Sequence, residues 1–258
     1  ATGSNPEYEV YSLAHMESSE IATAARSKKE VLNALMNLDT YAIVDDPTVD
    51  LTQPSLNATM YSDKYLKDRA NLVLATIYEA ILDELEPNYV DLQKNIDINW
   101  GLLNEKIGFG GGNGTTLEGS VFGDRLYGVG LADGNGLHAY DDIIKGGLGN
   151  DYIEGGMGAD ELHGGMGSDI IYANANIDQK YDTDNGFTAK LYADSGDDTL
   201  FGSVGKDELY GGDDYDTYIA NDGDIIEDIE GSSIKGEGRV LFDGSLLTGG
   251  EWDESINA

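Results

Sequence analysis

A nine-residue unit recurs without interruption in the middle of this chain. Three consecutive copies, at residues 146–154, 155–163 and 164–172, follow the pattern Gly-Gly-x-Gly-x-Asp-x-U-x, in which U is large and apolar. The glycines permit a tight turn with some residues at positive φ, and the x-U-x triplet fits a short strand with U pointing inward. Turns and strands that alternate at this fixed period predict a solenoid, in which each unit stacks on its neighbours.

The register of the three copies extends in both directions. Counted from Gly110, eight units of nine residues, one stretched unit at 182–192 and three further units fill residues 110–219. Position six is aspartate in ten units: Asp124, Asp133, Asp142, Asp151, Asp160, Asp169, Asp178, Asp198, Asp207 and Asp216. Position eight is apolar in nine units: Leu117, Leu126, Ile144, Ile153, Leu162, Ile171, Leu200, Leu209 and Tyr218. Asn135 and Lys180 break the apolar rule, so we expect distortion in the third and eighth units.

The aspartates of this register are expected to stack in two columns. If two units form one coil, residues 18 apart lie above each other. The predicted stacks are Asp142 over Asp124, Asp160 over Asp142, Asp178 over Asp160, Asp151 over Asp133, Asp169 over Asp151 and Asp216 over Asp198. Stacked carboxylates beside turn carbonyls offer the many hard oxygen ligands that suit Ca²⁺ better than Mg²⁺ or Zn²⁺. Without the ion the carboxylates would repel each other and their pKa values would rise.

Residues 110–219 resemble the RTX (repeats-in-toxin) family, whose calcium-binding nonapeptide has this pattern. The resemblance implies a right-handed parallel β-roll that binds Ca²⁺, and we expect about six to eight ions. The expected metal-site residues are Asp124, Asp133, Asp142, Gly147, Gly149, Asp151, Gly156, Gly158, Asp160, Gly165, Gly167, Asp169, Asp178, Gly196, Asp198, Gly205, Asp207 and Asp216. Because the core of such a roll is one thin row of apolar side chains, we expect Ca²⁺ binding to supply its folding energy.

The whole chain is predicted to be an α+β protein in three parts. Residues 1–109 are glycine-poor and form a mainly helical N-terminal region, residues 110–219 form the parallel β-roll, and residues 220–258 leave the register. Apolar patches at 225–226 and 240–242 predict short strands that form a β cap over the open end of the roll.

Three helical stretches are expected in the N-terminal region. Ser18 or Ser19 caps a helix that continues to about Leu38. Ser62 caps a second helix, whose apolar stripe ends before Pro87. A third helical stretch is expected near 89–107.

The charge of the chain excludes several classes of function. Its 258 residues include 49 acidic and 15 basic side chains, a formal net charge of −34. Nucleic acids and anionic membrane surfaces need a basic partner, so binding to either is not expected. The absence of cysteine excludes disulfides and cysteine-ligated metals. No apolar run reaches the ~20 residues of a membrane span. The excess of acid indicates a cation as partner.

Motifs of catalysis are missing from the sequence, and a non-enzymatic role is favoured. There is no His-Glu-x-x-His, as RTX metalloproteases have, and no Gly-x-Ser-x-Gly, as RTX lipases have. His163 stands at position nine of its unit and is expected at the surface. Residues 182–186 resemble the start of an EF-hand loop, but the glycine comes one place early, so we interpret them as an extended turn.

One peptide bond suggests an alternative. Asp46-Pro47 is the only Asp-Pro bond in the chain. Some iron-regulated RTX proteins cleave themselves at such a bond when calcium arrives, and the helical stretch before the repeats is loosely similar to theirs. The acidic calcium motif that follows the proline in those proteins is missing after Pro47. An ordinary loop is the preferred interpretation, and calcium-dependent self-processing with Asp46 and Pro47 as the reacting residues is the alternative.

The resemblance implies a biological role outside the cell. RTX modules stay unfolded at cytosolic calcium, pass through the type I secretion machinery and fold in millimolar calcium, in the medium or at the bacterial cell surface. Since no secretion signal is evident before Ala258, we expect a piece of a larger toxin or adhesin. A ligand-binding adhesin domain with a host or cell-surface ligand is a further alternative, because the helices and 16 tyrosines offer a ligand surface.

Overall fold

The computed structural model describes residues 10–39, 41–43, 57–78, 87–99, 104–111, 114–128, 140–175, 187–228, 237–242 and 245–247. Within them lie the α-helices α1 (Ser18–Ser27), α2 (Lys29–Asn37) and α3 (Asp63–Tyr78) and the short 3-10 helices Leu13–His15 and Ala58–Met60. None of the described helices is long and apolar enough to cross a membrane.

The first predicted helix is two helices. The backbone leaves the helical region at Lys28, with φ −127° and ψ 111°, and the second helix ends at Leu38 with φ 59°. The expected cap at Ser18 or Ser19 is wrong, because Glu17 caps α1 through a reciprocal pair of side-chain hydrogen bonds with Glu20. The cap expected at Ser62 is confirmed, since its Oγ accepts a hydrogen bond of 2.9 Å from the amide of Tyr65.

Eighteen strands form three sheets within the described residues. A two-stranded sheet pairs β1 (Val10–Ser12) with β2 (Tyr41–Ile43). A six-stranded sheet contains β6 (Thr116–Glu118), β8 (Ile143–Leu148), β10 (Glu161–Met166), β12 (Lys190–Ser195), β14 (Glu208–Asp213) and β16 (Ile225–Glu227). A ten-stranded sheet contains β3 (Asn88–Asp91), β4 (Ile96–Ile98), β5 (Lys106–Phe109), β7 (Arg125–Tyr127), β9 (Tyr152–Glu154), β11 (Ile170–Tyr172), β13 (Thr199–Phe201), β15 (Tyr215–Ala220), β17 (Glu237–Phe242) and β18 (Ser245–Leu246).

From β5 to β17 the chain alternates between the two large sheets. The strands of each sheet pair in parallel, and the antiparallel pairs are β3 with β4, β17 with β18 and β1 with β2. Parallel strands that alternate in this way give a solenoid-like coil. The strands expected at 225–226 and 240–242 are confirmed as parts of β16 and β17, which extend the two sheets in parallel.

The apolar positions of the repeat form one core between the sheets. Every residue predicted for position eight is buried, as expected from the x-U-x triplet. Leu191, in the stretched unit, joins this core and was not predicted. Ala173, Ala189, Ala193 and Ala220 complete the same cluster. The alternating pattern therefore predicts this core correctly outside the distorted units.

The helix expected near 89–107 is wrong. This stretch forms the hairpin of β3 and β4, with Asn95 at φ 54° in its turn, and then β5. Tyr89 pairs with Ile107 and Ile107 with Arg125, so the offset of 18 residues already applies here. Residues on both sides of Gly110 thus lie in one sheet, and the boundaries of the three proposed parts stay a prediction.

Two insertions lengthen the coil between its described strands. Strand partners are 27 residues apart where β6 pairs with β8, for example at Leu117 and Ile144, because nine residues are added to the coil. They are 29 residues apart where β10 pairs with β12, as at Leu162 and Leu191. Residues 129–139 and 176–186, which include the predicted distortions at Asn135 and Lys180, lie outside the described residues.

The helices pack on the outer face of the ten-stranded sheet. The ring of Tyr65 meets those of Phe109 and Tyr127 edge-on, with centroid distances of 5.5 and 5.3 Å. At one end of this contact Arg69 forms an ion pair of 2.5 Å with Asp91 of β3, and both side chains are 1% exposed. This contact joins α3 to the first strands of the coil.

Candidate metal centre

Aspartates line two columns of turns along the coil. The first column lies at the N-terminal ends of strands of the ten-stranded sheet and contains Asp124, Asp151, Asp169, Asp198 and Asp216. The second column precedes strands of the six-stranded sheet and contains Asp142, Asp160, Asp207 and Asp224. All of these except Asp224 are almost fully buried, with exposed fractions between 0% and 3%.

One carboxylate oxygen of each column residue connects neighbouring coils. In the first column, the amide of Asp151 donates to Oδ1 of Asp169 at 2.7 Å, and the amide of Asp198 donates to Oδ1 of Asp216 at 3.0 Å. In the second column, the amide of Asp142 donates to Oδ1 of Asp160 at 2.8 Å. Because Oδ1 is used in this way, the second oxygen, Oδ2, decides what else the site can bind.

Oδ2 divides seven of the nine column turns into two classes. In the turns of Asp151, Asp169, Asp198 and Asp216, Oδ2 is buried and accepts no hydrogen bond within the described part of the chain. Leaving such an oxygen buried costs about 1–3 kcal/mol, and more for a charged group. A buried carboxylate oxygen without a donor therefore indicates that a proton or a cation completes the site.

The second residue of the turn separates these classes. In the four turns with a free Oδ2 this residue has positive φ, and it is Gly147, Gly165, Asp194 or Gly212. In the turns of Asp124, Asp207 and Asp224 it is Ser120, Ser203 or Asn221, whose amide donates to Oδ2 of the aspartate. A polar residue at ordinary φ thus donates a hydrogen bond to Oδ2 within the same turn, whereas a residue at positive φ leaves Oδ2 without a donor.

The remaining glycines make room for the carboxylates and for the stacked turns. A Cβ at Gly146 would overlap Oδ2 of Asp151, and one at Gly165 would overlap the carbonyl oxygen of Gly147 in the neighbouring coil. The predicted glycines found at positive φ are Gly147, Gly149, Gly156, Gly158, Gly165, Gly167 and Gly196. Gly205 was predicted with them but has an ordinary φ, and it lies against the carbonyl oxygen of Phe187.

Burial raises the pKa values of several of the column aspartates. The pKa reaches about 8 at Asp198, about 7 at Asp151 and Asp216, and about 6 at Asp142 and Asp169. At Asp198 the carboxylates of Asp169 and Asp216 add to the effect of burial. The expected rise is therefore present, although burial contributes more to it than repulsion between stacked carboxylates.

The stacking order differs from the prediction at both insertions. Asp142 does not lie over Asp124: the amide of Asp124 donates to Asp151 at 2.7 Å, and that of Thr115 donates to Asp142 at 2.6 Å. In the coil that stacks on Asp160, the amide of Lys190 donates a hydrogen bond of 2.8 Å to the carbonyl oxygen of Asp160. In this register Ala189 occupies the position over Asp160 that was predicted for Asp178.

Some predicted residues cannot be placed, and one column residue was missed. Asp133, Asp178, Asp46 and Pro47 lie outside the described residues, as do residues 182–186. Asp224 was not predicted because it follows Asp207 by 17 residues, but it stands two residues before a partly buried Ile226, which is the signal of position six.

No His, Cys, Asp or Glu side chains gather in groups of three or more that could hold a metal within the described residues. His163 is half-buried on the outer face of the six-stranded sheet, where it contacts Glu161 at 2.9 Å and stacks on Tyr192. A metal in the columns would therefore need backbone carbonyl oxygens beside the aspartates. Ca²⁺ accepts such ligands, six to eight at a time, whereas Zn²⁺ favours side-chain nitrogen and sulfur.

Comparison with known proteins identifies the repeats. Residues 138–176 and 188–224 match the model of the RTX calcium-binding nonapeptide repeat, with four copies. The interruption between the two matched segments falls at the insertion between β11 and β12. Comparisons with curated proteins and with solved structures gave no match.

Proposed function

We propose that this chain, whose two matched segments are RTX calcium-binding nonapeptide repeats, is a module that folds when Ca²⁺ fills the turns of its right-handed β-roll. The observation that carries this proposal is the set of buried Oδ2 atoms without a donor at Asp151, Asp169, Asp198 and Asp216. Those oxygens, with carbonyls of the same glycine-rich turns, are the ligands that this chain offers to the ion. Bound Ca²⁺ supplies the positive charge that the turns lack.

The carboxylate oxygens and the apolar core of the coil have different roles in this calcium-dependent folding. Each Oδ1 accepts a backbone amide and sets the spacing of neighbouring turns, while Oδ2 is held ready for the ion. The core, a single row from Leu117 to Tyr218 with small alanines beside it, buries little apolar area for so long a backbone. Because ordering each residue costs about 1–2 kcal/mol, we expect the ion-free coil to be marginal.

The charge balance supports several ions in the coil. Residues 110–219 carry 21 acidic and five basic side chains, a net charge of −16. About six to eight Ca²⁺ ions, with two charges each, would bring this region close to neutrality. Among the predicted metal residues, Asp124 and Asp207 are the weaker candidates, since the amides of Ser120 and Ser203 already donate to their Oδ2 atoms.

The calcium dependence implies a place of action. A module that is unfolded at low calcium suits export by a type I secretion machinery, and extracellular calcium of about 10⁻³ M would then fold it. We propose this route for the parent protein, as a secreted or surface-bound toxin or adhesin. The proposal rests on the repeats and their charge; self-processing at Asp46-Pro47 gains no support from the described residues.

Circular dichroism of the chelated chain tests the proposal. At about pH 8, which is at or above the raised pKa values of Asp151, Asp198 and Asp216, we expect little β signal without Ca²⁺ and a cooperative gain as Ca²⁺ rises to about 10⁻² M. Mg²⁺ at the same concentrations should not replace it, because Mg²⁺ demands near-octahedral geometry and keeps its water. A β signal that is complete in chelator would overturn the proposal.

A further inference from the structure

The outer face of the ten-stranded sheet continues past the part that the helices cover. On each strand, two side chains flank the central residue and point outward. One outward row runs along the sheet through Asp91, Phe109, Tyr127, Glu154, Tyr172, Phe201, Ile219 and Leu241. Its first members are buried beneath α3, whereas Tyr172 and the residues after it are half-buried.

Helix α3 shows how this face is recognised. It crosses the strands, with Arg69 bound to Asp91 on β3, Tyr65 between the rings of β5 and β7, and the Lys64 ammonium 4.6 Å from the ring centre of Tyr152 on β9. The helix has three basic and two acidic residues, a net charge of +1 in a chain of −34. Its aromatic side chain supplies the apolar contact, and its basic residues supply the polar contacts around it.

Beyond α3, the outward residues that flank the central positions of the described strands of this face include none that is acidic. The eight outward residues flanking the central positions of β11, β13, β15 and β17, here called the outer strip, are Ile170, Tyr172, Thr199, Phe201, Thr217, Ile219, Arg239 and Leu241. None of them is acidic, although the chain has 49 acidic residues. The corresponding rows of the six-stranded sheet contain Glu118, Lys145, Glu161, Lys190, Glu208 and Glu227 among twelve residues.

The outer strip has the properties of an interface centre. The rings of Tyr172 and Phe201 stack with centroids 4.1 Å apart, and Ile170 beside them is 40% exposed. Contiguous apolar patches on soluble proteins mark interaction sites, and the centres of interfaces are depleted of charge. The four strands span about 14 Å at the usual strand spacing, which matches roughly three turns of an α-helix that crosses them.

We propose that the outer strip binds an amphipathic helix with an aliphatic or aromatic stripe and a basic rim, supplied by another protein, as a continuation of the surface that α3 occupies. Charge complementarity favours such a partner, because the turns beside the strip carry the acidic side chains of Asp197 and Asp214. A second copy of this chain is disfavoured, since it would bring two strongly acidic chains into contact. This proposal does not depend on the proposed calcium switch, although Ca²⁺ is included in its test.

A synthetic peptide with the sequence of residues 57–78 is the probe, because it contains the helix that already binds this face. The full chain has no cysteine, so Thr199→Cys places one environment-sensitive dye on the outer strip, and Lys145→Cys places the same dye on the other sheet as a control. We expect saturable binding that changes the signal at residue 199 and leaves that at residue 145 unchanged. Phe201→Glu should weaken binding by about tenfold or more, which corresponds to about 1.4 kcal/mol.

Tyr210→Glu is the matched variant, since Tyr210 is also half-buried and stacked, on Tyr192 at 4.8 Å, but lies on the six-stranded sheet. It should bind the peptide like the parent chain. Phe201→Ser removes the ring without introducing a charge. Calcium-dependent circular dichroism of each variant distinguishes lost binding from lost folding. If Phe201→Glu leaves peptide binding unchanged, the peptide is replacing α3 at the site of α3, and the proposal is overturned. Absence of binding, or sedimentation showing that the strip pairs two copies of the chain, would also overturn it.

Discussion

The backbone amide of Asp169 donates a hydrogen bond of 2.6 Å to Oδ1 of Asp198, although 29 residues separate the two. The same contact joins Asp151 to Asp169 at an offset of 18 residues and Asp124 to Asp151 at an offset of 27. The column is thus continuous while the length of chain between its members changes. The turn aspartates, rather than a constant repeat length, set the register of this coil.

Replacing Asp198 should remove an ion site. Asp198→Asn keeps Oδ1 for the amide of Asp169 but exchanges the free Oδ2 for an amide nitrogen, which cannot ligate Ca²⁺. We expect the Ca²⁺ concentration for half-maximal folding to rise by about tenfold, as for the loss of about 1.4 kcal/mol. Calorimetric titration should also count fewer bound ions.

Two matched substitutions separate ligation from the loss of a carboxylate. Asp207→Asn changes a buried column residue whose Oδ2 accepts hydrogen bonds from Ser203, and it should lower stability without lowering the ion count. Asp97→Asn changes an exposed strand residue and should alter neither. An unchanged ion count in Asp198→Asn would contradict the assignment of this turn.

The ion-free chain should become less stable as the pH rises. The pKa values of about 6 to about 8 at Asp142, Asp151, Asp169, Asp198 and Asp216 exceed the unfolded value of about 3.9. The folded chain therefore holds more protons than the unfolded chain above about pH 4, so this stabilisation is full below that pH and is lost as the pH rises through about 6 to 8.

Circular dichroism in chelator should accordingly show more β structure at about pH 5 than at about pH 8. With Ca²⁺ present the direction reverses, because protons compete with the ion for the same oxygens. The Ca²⁺ concentration for half-maximal folding should fall as the pH rises over this range. A calcium midpoint that is independent of pH would show that the column carboxylates do not bind the ion.

The sequence predicts the parts of this structure that depend on a strict period. Apolar residues two places after an aspartate, such as Ile153 and Leu200, are buried as expected because a short strand alternates its faces. The insertions could not be placed, because the units that begin at residues 128 and 173 keep the aspartate of position six, Asp133 and Asp178, so the count of nine continues through both. The sequence predicts a helix where the hairpin at 88–98 lies, since the short strands of the hairpin carry no glycine pattern.

The two classes of turn could be recognised only from the structure. The difference between Ser203 and Gly212 at the second turn position is visible in the sequence, but its consequence for Oδ2 depends on the direction of one backbone amide. Asp224 was missed because its spacing of 17 residues from Asp207 departs by one from the period.

Gly165, at position two of the Asp169 turn, should not tolerate a side chain. Gly165 has φ 113°, and a Cβ there would overlap the carbonyl oxygen of Gly147. We expect Gly165→Ala to destabilise the calcium-loaded chain by about 1–2 kcal/mol from backbone strain, and by more because of the overlap. Urea unfolding in saturating Ca²⁺ measures this loss. Met166→Ala, at the neighbouring residue with 61% exposure, should change the free energy of unfolding little; equal effects of the two would contradict the steric argument.

The buried ion pair between α3 and β3 should be essential for the helical part. Arg69→Met leaves the carboxylate of Asp91 buried without its cation, which typically costs about 3–5 kcal/mol. The exposed pair of Arg26 and Asp63, with Asp63 95% exposed, is the control, and Asp63→Asn should cost no more than about 1 kcal/mol. Chemical unfolding of both variants in saturating Ca²⁺ gives the comparison, and a smaller loss for Arg69→Met than for Asp63→Asn would refute it.

Calcium should stabilise α3 as well as the coil. Asp68 of α3 accepts hydrogen bonds from Arg125 Nε at 2.8 Å and from the Tyr127 hydroxyl at 2.6 Å. Arg125 directly follows Asp124, whose amide is held by Asp151. Filling the turn of Asp151 should therefore fix β7, and β7 in turn should fix the helix.

Hydrogen exchange measures this coupling directly. Amides of residues 63–78 should exchange more slowly in Ca²⁺ than in chelator. Asp68→Ala should reduce that protection by about 1–3 kcal/mol, because it leaves the buried Tyr127 hydroxyl and Nε of Arg125 without their acceptor. Lys67→Ala, at an exposed position of the same helix, should preserve it. If α3 exchanges equally fast with and without Ca²⁺ while the coil responds, the helices fold independently of the ion sites, and the link through Arg125 and Tyr127 is structural only.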